Sequence, residues 1–227
     1  MALGQLLIKC GAKIEGLGTE TVLIEGAPLS PPSDLIPIPP DRIETGTWIS
    51  IAVGTHSRLN LMDCHPEELG SVIEAYRRMG VLFEKEKGAL RVIPPETLMP
   101  IDLTTQPYPG FPTDMQAQIM TNLCLADGES VVSENIFENR FMHVAELQRL
   151  GAKIEIEGNT ARIKGPVKLV GAPIMATDLR ASACLVVAAL GAKGQSRLSR
   201  VYHLDRGYQK LDEKLRSVGA SVTRIAE

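Results

Sequence analysis

Two hydrophobic patterns alternate along the chain, one of helical spacing and one of strict alternation, with a glycine punctuation between them. At the start, Leu6-Leu7-Ile8-Lys9-Cys10 runs into Gly11-Ala12 and then Lys13-Ile14-Glu15. The same order returns as Tyr76-Arg77-Arg78-Met79 before Gly80-Val81-Leu82-Phe83-Glu84, and as Leu147-Gln148-Arg149-Leu150 before Gly151-Ala152-Lys153-Ile154-Glu155. It returns once more as Leu215-Arg216-Ser217-Val218 before Gly219-Ala220-Ser221-Val222. The marker glycines lie 69, 71 and 68 residues apart (80−11, 151−80 and 219−151), a regularity that marks an internal repeat. Each glycine suits the position just past a helix, where a left-handed backbone is costly for any residue with a Cβ.

Within each repeat the alternation after the glycine predicts a strand, for example Ala152, Ile154 and Ile156 against Lys153, Glu155 and Glu157. Glu157-Gly158-Asn159 then turns the chain back through Thr160-Ala161-Arg162-Ile163 as a hairpin. A second, more uniformly apolar helix is predicted at Asp114 to Leu125 and again at Leu179 to Leu190, buried on most faces. The unit therefore reads strand–helix–strand–helix–strand–strand, in an α/β fold. Three copies fall at roughly 41–100, 101–170 and 171–227, and residues 1–27 match only the last part of a fourth, a remnant of a preceding domain. Between them Ala27 to Pro40 carries six prolines, which predicts an extended linker over 28–40.

Composition narrows the chemistry. The 227 residues are 44% hydrophobic but only 4% aromatic, so the core is aliphatic. A net charge of −3 argues against non-specific nucleic-acid binding, which needs a basic face, and leaves room for local basic pockets that take small anions. Cys10, Cys64, Cys124 and Cys184 are scattered without a CxxC pair, which gives neither a zinc pattern nor a disulfide framework and points to a reducing compartment. No apolar run is long enough to span a bilayer, and the expected location is cytoplasmic.

Four stretches place charged residues beside turns and helix starts. In Phe111-Pro112-Thr113-Asp114-Met115, Thr113 or Asp114 can cap the following helix. Asp114 can equally stand in a cleft and accept a proton from a hydroxyl. In Glu138-Asn139-Arg140-Phe141-Met142-His143, Arg140 sits near a helix start, where a cation needs an anion or a carboxylate partner such as Glu138 or Glu146. His143 fits a structural hydrogen-bond donor better than a catalyst. In Ala176-Thr177-Asp178-Leu179-Arg180, Thr177 or Asp178 caps a helix and Arg180 lies in its first turn. Tyr202-His203-Leu204-Asp205-Arg206-Gly207-Tyr208 puts a third arginine at an equivalent passage. Three guanidinium groups at repeat-related positions suit a small ligand bearing phosphate and carboxylate.

These stretches, together with Asp41-Arg42-Ile43-Glu44-Thr45-Gly46-Thr47, closely resemble the UDP-N-acetylglucosamine 1-carboxyvinyltransferase family, in the right order across nearly the whole chain. The resemblance is to the C-terminal half of such an enolpyruvyl transferase. It implies the inverse α/β prism, with domains of three βαβαββ units facing each other across the active site. It also implies transfer of enolpyruvate from phosphoenolpyruvate to the 3′-hydroxyl of UDP-N-acetylglucosamine, a step of peptidoglycan precursor synthesis, with no cofactor and no metal. By motif match, Asp114 is the carboxylate at that hydroxyl, as base or orienter, and Ile136 contacts the nucleotide sugar. Arg140, Arg180 and Arg206 hold the anionic groups of phosphoenolpyruvate, Arg206 with a catalytic share, and Asp178 orients groups in the same cleft. No stretch matches the family's upstream loop with the catalytic cysteine, so these residues alone are expected to be inactive, to need the N-terminal domain as partner, and to form a homodimer in its absence. A non-catalytic anion or nucleotide-sugar binding paralogue and a fragment of the shikimate-pathway enolpyruvyl transferase are the alternatives.

Overall fold

The four marker glycines adopt one conformation, with φ of 98° at Gly11, 96° at Gly80, 99° at Gly151 and 96° at Gly219. At each, the glycine amide bonds to the carbonyl three residues back (Ile8, Arg77, Gln148, Arg216), and the next amide reaches five back (Leu7, Tyr76, Leu147, Leu215) at 2.9–3.0 Å. This is the paired hydrogen-bond pattern by which a left-handed residue ends a helix. The computed structural model describes residues 1–86 and 88–225. The chain divides into two units, Met1–Pro40 and Asp41–Glu227.

The first unit holds helix α1 (Ala2–Lys9) and strands β1 (Lys13–Glu15) and β2 (Leu23–Glu25), which pair antiparallel with Ile14 opposite Ile24. None of the α1 residues is buried, and Leu23 and Ile24 are exposed.

In the second unit the order is α2 (Arg42–Gly54), β3 (Leu59–Met62), α3 (Gly70–Arg78), β4 (Leu82–Glu86), β5 (Ala89–Ile93), β6 (Leu103–Thr104), α4 (Gln116–Leu123), β7 (Glu129–Ser133), α5 (Val144–Arg149), β8 (Lys153–Glu157) and β9 (Thr160–Lys164). It continues with β10 (Pro173–Met175), α6 (Leu179–Gly191), β11 (Arg197–Ser199), α7 (Tyr202–Asp205) and α8 (Leu211–Ser217). The strands form three sheets, ordered β3-β5-β4, β6-β7-β9-β8 and β10-β11, with β6 parallel to β7 and β10 parallel to β11. Among the described residues only the middle stretch shows all six elements of the predicted unit. No strand precedes α2 after Pro40, and Ser221–Ile225 lie outside any strand, so the third stretch shows no closing hairpin among the described residues.

Helices α2, α4 and α6 pack on one another in the centre. Every residue of α4 is buried, as are seven of the thirteen in α6. They run in the same direction. Near their starts a Cβ on Gly46 would meet Met115 Sδ at 2.6 Å. At their far ends one on Gly191 would meet the Gly54 carbonyl oxygen at 2.5 Å. Polar side chains fix this register inside the bundle. Asn122 Oδ1 accepts from Ser50 Oγ at 2.6 Å and from the Tyr76 hydroxyl at 2.7 Å, and its Nδ2 donates to the Ser50 carbonyl at 3.1 Å. Asn122, Ser50 and Tyr76 are fully buried, so these bonds satisfy groups that water does not reach.

Candidate functional site

Two of the three helix starts have a side-chain cap and the third does not. Asp41 accepts from the Ile43 amide at 2.8 Å, and Asp178 accepts from Arg180 and Ala181 amides at 2.8 and 2.9 Å. Asp178 is therefore the cap, with the Ser182 hydroxyl donating to its carbonyl. Neither Thr113 nor Asp114 caps α4, because both face elsewhere across the fold. The Thr113 hydroxyl donates to Glu134 Oε2 at 2.8 Å. The Asp114 carboxylate bridges two guanidinium groups, with Arg140 Nη2 at 2.8 Å from Oδ1 and Arg180 Nη2 at 2.8 Å from Oδ2.

This triad is half-buried: side-chain exposure is 36% at Asp114, 24% at Arg140 and 18% at Arg180. Burial by itself raises the Asp114 pKa, but hydrogen bonds and charge from Arg180, then Arg140, outweigh it and hold the carboxyl below the usual carboxylate range. Arg140 thus pairs with Asp114 and not with Glu138 or Glu146. Glu146 instead pairs with Arg149 at 3.3 Å and accepts from the Met175 amide at 3.0 Å. The left-handed conformation of Asn139 (φ 55°) precedes Arg140, and the Arg140 guanidinium lies over the Phe137 ring at 5.0 Å.

Arg180 also reaches into the bundle. Its Nη1 approaches the Tyr208 hydroxyl at 3.5 Å, and that hydroxyl lies 2.9 Å from Thr47 Oγ1. Thr47 donates to the Ile43 carbonyl at 2.9 Å, so the protons run in one direction, from Arg180 through Tyr208 and Thr47 into α2. Gln118 Nε2 donates to Thr47 from α4 at 3.3 Å. His143 is fully buried, and burial lowers its pKa to about 4 despite the raising effects of Asp178 and of a hydrogen bond to the Arg140 backbone. It is neutral at pH 7, with its ring 6.5 Å from that of Phe141.

The structure brings Asp114, Arg140 and Arg180 together, with Asp178 holding the turn that carries Arg180. The Ile136 amide donates to Glu134 Oε1 at 2.8 Å, which leaves its carbonyl and side chain for other contacts. Arg206 ends α7, exposed, and no hydrogen bond or ion pair among the described residues joins it to the triad. Its neighbour Asp205 pairs with Arg224. Glu134 escaped the motif reading. The signal was present: Ser130, Val132 and Glu134 continue one period-2 inward row, which sets a carboxylate where an apolar residue is expected.

A carboxylate clasped by two arginines at the mouth of a parallel helix bundle, inside a repeated α/β framework, points to a class of enzyme that handles small anions. The family model described as EPSP synthase (3-phosphoshikimate 1-carboxyvinyltransferase) matches residues 1–215, and the chain belongs to that family of transferases. Among curated proteins, UDP-N-acetylglucosamine 1-carboxyvinyltransferase of Thermodesulfovibrio yellowstonii is 51% identical over 223 residues, covering 98% of this chain and 54% of that protein. The protein of the same name from Nitratidesulfovibrio vulgaris strain DP4 is 52% identical over 226 residues, covering 99% and 54%. The chain thus spans about half the length of the curated relatives it matches. Among solved structures, the enolpyruvyl transferase NikO from Streptomyces tendae superposes with a TM-score of 0.87 at 31% identity, over 97% of this chain and 52% of that one. EPSP synthase from Acinetobacter baumannii shares the fold, with a TM-score of 0.73 at 19% identity over 96% of this chain and 54% of that one.

Proposed function

We propose that this chain forms the C-terminal half of a site that transfers enolpyruvate from phosphoenolpyruvate to the 3′-hydroxyl of UDP-N-acetylglucosamine. The observation that carries the proposal is the Asp114 carboxylate held between Arg140 and Arg180. Identity near one half to relatives bearing the amino-sugar name, against 19% to the shikimate enzyme structure, favours the amino-sugar acceptor. The reading places the reaction in the cytoplasm.

Asp114 in its present state is a weak base, because two cations stabilise its charge. A phosphate or carboxylate arriving on Arg140 and Arg180 draws their charge away from Asp114, and its pKa then rises towards the ordinary value. The acceptor hydroxyl thus meets a competent base only when the anionic donor is in place. Arg206, exposed and without a partner among the described residues, is free to add a third cation to the donor. Asp178 holds Arg180 at its helix start, and the Ile136 segment borders the sugar nucleotide. The site stabilises developing negative charge through fixed guanidinium groups.

In this reading turnover also needs the cysteine loop that the family resemblance assigns to an upstream domain, so the 227 residues by themselves are expected not to turn over. Calorimetric titration of phosphoenolpyruvate and UDP-N-acetylglucosamine, with phosphate release followed in parallel, tests this. Weak binding of phosphoenolpyruvate that is lost in Arg180→Ala, without turnover, is the expected result. Phosphate release by the chain alone at enzyme-like rates of about 1–10³ per second, or binding indifferent to both arginines, overturns the proposal.

A further inference from the structure

We infer that Glu134 is a positioning residue that sets the distance between Asp114 and Arg140. The residue is only 3% exposed, and its two carboxyl oxygens take four hydrogen bonds from three separate segments. Oε1 accepts from Thr105 Oγ1 at 2.8 Å, the Ile136 amide at 2.8 Å and the Phe137 amide at 3.1 Å. Oε2 accepts from Thr113 Oγ1 at 2.8 Å. The Asn135 amide closes the ring by donating to Thr105 Oγ1 at 2.9 Å, and the Glu134 amide fastens the whole to the sheet through the Asn159 carbonyl at 2.8 Å.

Two of the three segments so joined carry the site. Thr113 immediately precedes Asp114, and Phe137 lies three residues before Arg140 with its ring under that guanidinium. Two backbone amides and two hydroxyls thus converge on one buried carboxyl and satisfy both of its oxygens. No cation pairs with it among the described residues, so hydrogen bonds alone offset its desolvation, and movement of any of the three segments has a direct cost. The Asp114–Arg140 ion pair opens when an anion takes Arg140, whereas the Glu134 contacts do not involve either group. Glu134 therefore keeps both side chains at their separation after their own bond is broken, which is the preorganisation a site of this kind requires.

This inference rests on the site proposed above, and its test separates the two. In the full chain, Glu134→Ala and Glu134→Gln are compared by amide hydrogen exchange and by the side-chain Nε–Hε NMR signal of Arg140, both without ligand. Gln retains an oxygen for Thr105, Ile136 and Phe137 and turns its NH₂ to Thr113, whose hydroxyl then accepts. In Glu134→Ala, protection at Ile136 and Phe137 falls by about tenfold or more and the Arg140 signal moves, while β8 and β9 exchange as before. Glu134→Gln restores most of both. Should the alanine variant not fold, Thr113→Val cuts one link alone: the Arg140 signal moves and the Ile136 and Phe137 amides stay protected. An unmoved Arg140 signal, or a loss of protection spread evenly over the sheet, overturns the inference. Phosphoenolpyruvate is then titrated into each protein. Binding that weakens about tenfold in the alanine variant and recovers in the glutamine variant supports the inference, and equal binding in all three overturns it. If the wild-type chain takes no phosphoenolpyruvate, the proposed function fails, while the exchange and NMR results still decide the role of Glu134.

Discussion

Replacing Asp114 by Asn is expected to move stability and anion affinity in opposite directions. The carboxylate makes two charge-assisted bonds, each at 2.8 Å, to guanidinium groups that are less exposed than itself. Such bonds contribute about 1.5–3 kcal/mol each when well shielded. With Asp114 about a third open to solvent, screening reduces their combined effect to about 1–3 kcal/mol. At about 2–4 °C per kcal/mol for a chain of this size, the thermal midpoint falls by a few to about ten degrees. The asparagine oxygen satisfies one arginine, but its NH₂ opposes the other, leaving two cations with no counter-charge between them. Those cations are then open to an external anion that no longer competes with an internal carboxylate, and phosphoenolpyruvate or inorganic phosphate binds several-fold to about tenfold tighter, tenfold being about 1.4 kcal/mol. Scanning calorimetry and isothermal titration on the same preparations give both numbers. A variant as stable as the wild type refutes the electrostatic account of the triad, as does one that loses stability and also binds phosphate more weakly.

Acid titration should show two windows. His143, with a folded pKa of about 4 against 6.5 unfolded, contributes stability that is full above pH 6.5 and is lost as pH falls towards 4, so urea unfolding of His143→Gln is expected to vary less over that range. The depressed Asp114 pKa adds a further loss at lower pH still, absent in Asp114→Asn. Asp178→Ala removes the α6 cap and should cost about 1 kcal/mol, with weaker phosphate binding because Arg180 loses its anchored turn; unchanged phosphate affinity argues against that link. Gly151→Ala forces a Cβ into a left-handed residue at φ 99° and is expected to destabilise by about 1–2 kcal/mol in denaturant titration. Deleting residues 1–27 should convert a self-associating chain into a monomer by light scattering, since that stretch carries an unburied helix and an exposed Leu23-Ile24 pair; equal monomers before and after remove any role for it in association.

The glycine period and the buried α6 were legible because both follow from local rules: a left-handed C-terminus admits few residues but glycine, and an apolar run of helical length has to be covered. Helix α2 was harder, since Thr45, Gly46, Thr47, Ile49, Ile51 and Val53 are poor helix formers. It forms because ten of its thirteen residues are buried against neighbours that a broader face would not admit. Asp114 shows a limit of another kind. Locally its position suits a cap, and the partners that claim it instead lie 26 and 66 residues away. Ion pairs across that separation leave no trace in spacing, and motif resemblance put Asp114, Arg140 and Arg180 in one site without pairing them. Glu134 is the opposite case, a visible irregularity in a strand pattern, set away from the helix starts where charge usually marks a site.

The directed chain from Arg180 through Tyr208 to Thr47 has an optical consequence. The sequence contains one tryptophan, Trp48, directly after Thr47 on α2, partly buried beside the apolar cluster that includes Tyr208 and Leu211. Its indole nitrogen lies 3.5 Å from Glu44, itself tied to Lys214 of α8. Any ligand that draws Arg180 away from Tyr208 changes the polarity and hydrogen bonding one residue from the sole indole fluorophore. The protein therefore carries its own emission reporter of events at the arginine pair, with no other tryptophan to dilute the signal and no label to disturb the site.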